Sequence, residues 1–257
     1  MFAIYKKEMR SYFINPIGFV FVGIFLALAA LLSCYTTIQS NSYSTATYFT
    51  IMIFAMIILI PLLTMRSFSE ERKLKTEQLM LTSPVSITAM VMGKYLASFT
   101  MFVGCVIVSC INFLPLYIMG NIEREGDPYS MTHIGPVTSE IVGSIIAVVL
   151  IGAAFIAIGI FISSLTENQL SAAVITIAII LVMVVLGLVN QIGSDADGTR
   201  LISNYVVRFV IDWVSVFSRF GYFTYGIFDI SALIYYLSLA GVFVFLTIRV
   251  YEKRRWG

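Results

Sequence analysis

Between Arg10 and Arg66 the chain carries no charged residue, so positions 11–65 form an uncharged run of 55. Four more such runs follow, at 95–122, 141–166, 168–194 and 230–248, of 28, 26, 27 and 19 residues. About 20 predominantly apolar residues cross a hydrocarbon core ~30 Å thick. Each later run therefore holds one membrane span. The first holds two, divided at the polar stretch Gln39-Ser40-Asn41-Ser42-Tyr43-Ser44-Thr45. Six spans are expected, at about 17–38, 47–65, 95–119, 141–163, 169–190 and 230–248. Helices are the expected element, because lipid offers the backbone no partner outside its own chain or a closed barrel. Barrel strands would be short and would alternate in polarity, whereas these runs are continuously apolar. The expected class is an all-α integral membrane protein forming a single domain over residues 1–257.

Composition agrees: 59% of the residues are hydrophobic and 12% charged, far from the balance of a soluble domain. Leu31-Leu32-Ser33-Cys34 faintly resembles a lipoprotein cleavage site, but Glu8 in the preceding segment and five following spans argue that span one is kept. Cys34, Cys105 and Cys110 all fall in spans without metal-like spacing, as small buried hydrophobes do. Six spans put both termini, the 66–94 loop and the 163–168 turn on one side. That side holds 12 basic and 6 acidic residues against 4 and 8 on the other, the four being Arg124, Arg200, Arg208 and Arg219. Basic residues near short loops stay in the cytoplasm, so both termini are expected there.

Residues 2–14 place Phe2, Tyr5, Met9 and Phe13 at helical spacing, with Lys6, Lys7 and Arg10 on the remaining surface. Such a segment, ended by Asn15-Pro16, reads as an amphipathic helix in the cytoplasmic interface. Small residues line span one (Gly23, Ala27, Ala30, Cys34) and span four (Gly143, Ala147, Gly152, Gly159), and smooth faces of this kind let helices approach closely. Pro61 is expected to kink span two near its cytoplasmic end, and Pro115 lies near the outer end of span three.

Two loops stand out. In the 66–94 loop, Ser67 and Glu70 have capping-box spacing. Glu71–Lys75 and Lys73–Glu77 are i,i+4 pairs, and Pro84 stops the pattern. The expected product is a short charged helix outside the membrane, suited to docking against a cytoplasmic partner; a solvated, topology-setting loop is the plainer alternative. In the external segment 200–229, Arg200, Asn204, Arg208, Asp212, Ser215 and Arg219 form one polar stripe on an otherwise apolar helix, interrupted by Gly221 and Gly226. This fits a re-entrant hairpin. A seventh span over 201–223 would set Arg208, Asp212 and Arg219 at membrane depth, which is expensive.

Catalytic machinery is not expected. The only Gly-Lys pair, Gly93-Lys94, is followed by Tyr95 and has Thr88 where a phosphate-binding loop needs its first glycine. One histidine, His133, cannot build a His-rich site, and Glu140 sits at the edge of span four as a boundary marker. Spans without buried acids also disfavour a proton- or sodium-coupled carrier. Asn112, Gln169, Asn190 and Gln191 are the polar span residues to consider for a substrate path, hydrogen bonding between helices being the simpler account.

The chain resembles the membrane permeases of the ABC type-2 exporter family, particularly the six-span permeases of the gliding-motility and nitrous-oxide-maturation type. The features that carry the likeness are Lys7-Glu8 and Pro16, then Glu70-Glu71-Arg72, Thr76-Glu77, Leu79, Ser83-Pro84-Val85 and Gly93-Lys94. Phe228-Asp229-Ile230, Tyr235-Tyr236-Leu237-Ser238 and Arg254-Arg255-Trp256 complete it. The resemblance implies that the 66–94 loop is a coupling helix seated in a groove of a separate ATPase, which would itself bind ATP and Mg. Glu70, Glu71, Arg72, Thr76, Glu77, Leu81 and Pro84 would make that contact, and Glu167 a second, smaller one. Residues 2–14 would be an elbow helix with Tyr5, Lys6, Lys7 and Glu8 near the ATPase. Two permeases, identical or homologous, and two ATPases would form the transporter in a bacterial cytoplasmic membrane, with room for an external accessory protein and no nucleic-acid partner. A membrane scaffold driven by an ATPase is the main alternative function, and a secondary carrier the lesser one.

Overall fold

The computed structural model describes residues 1–14, 16–38, 43–78, 85–126, 135–192, 209, 211, 213, 215, 216 and 219–256. Among the described residues six helices are long and apolar enough to cross a membrane, the number expected. In chain order the elements are α1 (Phe2–Ile14), α2 (Pro16–Ser33, continued by a π-helical turn Cys34–Ile38), α3 (Ala46–Thr64) and the short α4 (Ser69–Lys73). They are followed by α5 (Ile87–Ser109), α6 (Leu114–Gly126), α7 (Thr138–Leu165), α8 (Gln169–Ile192), α9 (Phe220–Thr224) and α10 (Ile230–Trp256). α5 and α6 form one path through the bundle, joined by a 3-10 turn at Cys110–Phe113. The tightening lies just before Pro115, which has no N–H for the carbonyl of Ile111; the Leu114 N–H donates there instead.

α5 starts well before residue 95. Ser86 caps it, its Oγ accepting from the Ala89 N–H at 3.4 Å. Lys94 had marked the edge of the apolar run, yet it lies inside the helix and is 2% exposed. Its charge is met from two other elements, so it does not end the span.

α7 is the buried centre, in contact with α3, α5, α8, α9 and α10. Between helices in lipid the hydrophobic effect gives little, and close packing on small residues does more. The small face of span four works this way within the chain. A Cβ at Gly152 would lie 2.1 Å from the Phe102 ring of α5, and one at Gly159 2.1 Å from Thr64 Oγ1 of α3. At Gly143 the backbone of Phe223 closes in, and Ala147 is fully buried. The small face of span one differs: Gly23, Ala27, Ala30 and Cys34 are all exposed. α1 packs on α5 through Ile4 against Gly93, and through hydrogen bonds from Tyr5 to Thr100 (3.3 Å) and between Tyr12 and Ser98 (2.9 Å). Its outward side carries Phe2, Lys6, Arg10, Phe13 and Ile14, so cations and aromatics share one face rather than lying apart.

Near the other end of the bundle, Gly226 ends the α9 segment with φ +72° against Ser139. Tyr236 Oη donates to the Val216 carbonyl at 2.7 Å, and the Arg219 guanidinium lies 4.0 Å from the centre of the Tyr235 ring. Of the other members of the polar stripe, Ser215 is buried, and Arg200, Asn204, Arg208 and Asp212 lie outside the described residues, as does His133.

Candidate functional site

Most of the residues singled out for partner contact gather around α4, where α1, α7 and α10 converge. The start of α4 is built from afar. The first N–H groups of a helix need acceptors from outside it. Here Ser163 Oγ of α7 accepts from the Phe68 and Ser69 N–H groups at 3.1 and 3.2 Å. The nearby Ser67, whose spacing to Glu70 had indicated a local cap, is buried and gives its carbonyl to Lys94 Nζ.

The end of α4 is a Schellman turn. The Lys75 N–H donates to the Arg72 carbonyl at 3.0 Å and the Thr76 N–H to the Glu71 carbonyl at 2.9 Å. Glycine is usual at the left-handed position of this motif, but Lys75 occupies it, with φ 57°. The turn leaves Leu74 64% exposed between two exposed lysines, Lys73 and Lys75.

The acids of the loop point elsewhere. Glu70 forms a two-bond fork with Arg66, at 2.6 and 3.0 Å. Glu71 reaches Lys94 at 2.9 Å rather than Lys75, and Glu8 of α1 meets the same ammonium at 3.3 Å. Lys7 approaches Glu71 at 3.9 Å, and Lys94 lies 4.8 Å from the Phe68 ring centre. Burial raises the Glu71 carboxyl above its ordinary value, against the pull of the Lys94 ammonium. Glu77 sits between Arg254 of α10 at 2.9 Å and Arg72 at 3.4 Å, and Arg72 also holds Glu167 at 3.0 Å. An open cleft of about 470 Å³ lies between α1 and this loop, lined by Lys7, Glu8, Ser11, Arg66, Glu70 and Leu74 among others.

Of the expected contact residues, Tyr5 and Glu8 face α5, Lys6 is outward, and Thr76 closes the turn. Leu81 and Pro84 lie outside the described residues. Of the polar span residues, Asn112 and Gln169 lie apart. Asn112 lies beyond the middle of the α5–α6 path, where its carbonyl accepts from Ser33, while Gln169 begins α8 on the α4 side. Asn190 and Gln191 are in α8, with side chains outside the description. Three residues that hold the site were not assigned to it from the sequence: Lys94, Ser163 and Arg254. Lys94 and Arg254 stood in the motifs that carry the family likeness, without a partner being read for either; Ser163 carried no signal.

The family model described as "ABC-2 family transporter protein" matches residues 31–249 of the chain. No curated protein matches it.

Proposed function

Because this chain belongs to the ABC-2 family of transporter proteins, we propose that it is a permease driven by a separate ATPase that docks on the α4 tip. It is a multi-pass membrane protein and the membrane domain of an ABC transporter. In the proposed reading both termini are cytoplasmic, in a bacterial cytoplasmic membrane. ATP and Mg bind to the partner, and this chain is not an enzyme. Two copies of the ATPase serve two permeases, and their closure displaces the α4 tips so that a path between the permeases opens outward for export.

One observation carries the reading. Residues 65–78 of the loop between α3 and α5 are held by ion pairs to α1, α5, α10 and the Glu167 turn, with apolar Leu74 exposed among them. A solvated, topology-setting loop has no need of such bracing. The bracing uses Glu70, Glu71 and Glu77, so among the described residues of the loop the surface offered to a partner is Lys73-Leu74-Lys75, with the exposed Glu167 beside it. Of the elbow residues, Lys7 and Glu8 support the loop from the other side through Glu71 and Lys94, Tyr5 anchors the elbow on α5, and Lys6 faces outward, free to meet the ATPase in this reading.

Co-purification from the native membrane tests this directly. An ABC ATPase is expected with the wild type and is expected to fall about tenfold with Leu74→Asp, as for loss of a buried apolar anchor. The variant should remain monodisperse in detergent. A wild type that brings down no ATPase rejects the reading.

A further inference from the structure

The last carbonyls of a helix lack helical donors, and at the end of α7 two arginines from other elements supply them. Arg254 Nη2 donates to the Ser164 carbonyl at 2.8 Å, and Arg72 Nη1 to the Leu165 carbonyl at 2.9 Å. Each guanidinium also turns to the same carboxylate, Glu77, at 2.9 and 3.4 Å. The result is a closed ring: Glu77, Arg254, Ser164, Leu165, Arg72 and back to Glu77. Cations at a helix C-terminus are favoured by the helix dipole. A planar guanidinium fork can bond a carbonyl and a carboxylate at once, whereas an ammonium acts as a point charge. Beneath the ring, Tyr251 is 1% exposed and its ring centre lies 4.7 Å from that of Phe68. The neighbouring Lys253 and Arg255 are exposed. They provide the positive charge that orients a membrane protein, so orientation does not account for the placement of Arg254. Arg254 also lies beyond the 31–249 matched by the family model.

We propose, building on the docking reading above, that Arg254 and Arg72 are positioning residues that lock the α4 segment and the end of α7 into one lever. The two partner contacts, the α4 tip and the Glu167 turn, then move as one body. Without the ring, a push on the tip would reach α7, the helix at the centre of the bundle, only through the Ser163 bonds at the start of α4, and the rest of the segment would yield.

The test compares wild type, Arg254→Gln, Arg254→Lys and Arg255→Gln in the full-length protein, by amide hydrogen exchange and by retention of the ATPase. Loss of charge-assisted hydrogen bonds predicts that Arg254→Gln speeds exchange about tenfold in residues 69–78 and 163–168 together. Arg254→Lys is expected to fall between it and wild type, and Arg255→Gln to match wild type. Retained ATPase is expected to drop about tenfold with Arg254→Gln and to stay unchanged with Arg255→Gln. Acceleration of one segment alone, or an equal effect from Arg255→Gln, overturns the proposal. So does concerted acceleration with undiminished ATPase retention. A wild type that retains no ATPase sinks the docking reading instead, and the ring is then judged on the exchange measurement alone.

Discussion

Lys94 is a cation 2% exposed, and it survives inside α5 because three groups converge on it: Glu8, Glu71 and the Ser67 carbonyl. Removing one member of a buried charge group strands the others, at a cost of about 3–5 kcal/mol. Lys94→Met is therefore expected to destabilise the protein by that order, since Glu8 and Glu71 would be left facing each other. Glu71→Gln should cost less than about 1 kcal/mol: burial already opposes its charge, an amide oxygen can still accept from Lys94, and Glu8 remains. Unfolding of the two variants in detergent, side by side, checks the contrast; equal losses would refute it. None of this grouping was readable from spacing, because i,i+4 rules see only neighbours on one helix. Lys75 was the local partner for Glu71, but the chain turns left-handed there and takes its ammonium away.

Helices were the most legible level. Uncharged length and unbroken hydropathy gave six spans because lipid constrains both strongly. Boundaries followed less well, as α5 shows, since a charge marks a span's edge only if nothing inside the protein neutralises it. The small residues of span four announced close packing but not their partners, which turned out to be Phe102, Thr64 and the backbone at Phe223. A direct prediction follows from that geometry. Gly159→Ala should cost about 1–3 kcal/mol, because its Cβ would meet Thr64 Oγ1 at 2.1 Å in a packed interface. Gly23→Ala on α2, where nothing lies within 4 Å, should be neutral or slightly stabilising. Thermal unfolding of both variants in the same detergent measures the difference, and similar midpoints would count against α7 as a tightly packed centre.

Taken as a whole, the bundle assigns α4, the start of α5, the end of α7 and the end of α10 to one face, while the start of α7 lies toward the other. The charge balance expects the α4 face in the cytoplasm. In a background of Cys34→Ser, Cys105→Ala and Cys110→Ala, Leu74→Cys should react with an impermeant thiol reagent only in inside-out vesicles. Ile122→Cys, also 64% exposed but on α6, should react only in right-side-out cells. Labelling of both from one side would contradict an odd number of crossings between them.

The sources of the bonds around α4 also have an order in time. Its helix start depends on Ser163, 95 residues later, and its ring on Arg254, 177 residues after Glu77. During synthesis the loop leaves the ribosome long before either residue exists. It has its final shape only once span four is inserted and the C-terminal helix is made. Under the docking reading, a chain that stops short of Arg254 presents the α4 segment without its ring, so the surface for recruitment is finished only after α10 is made.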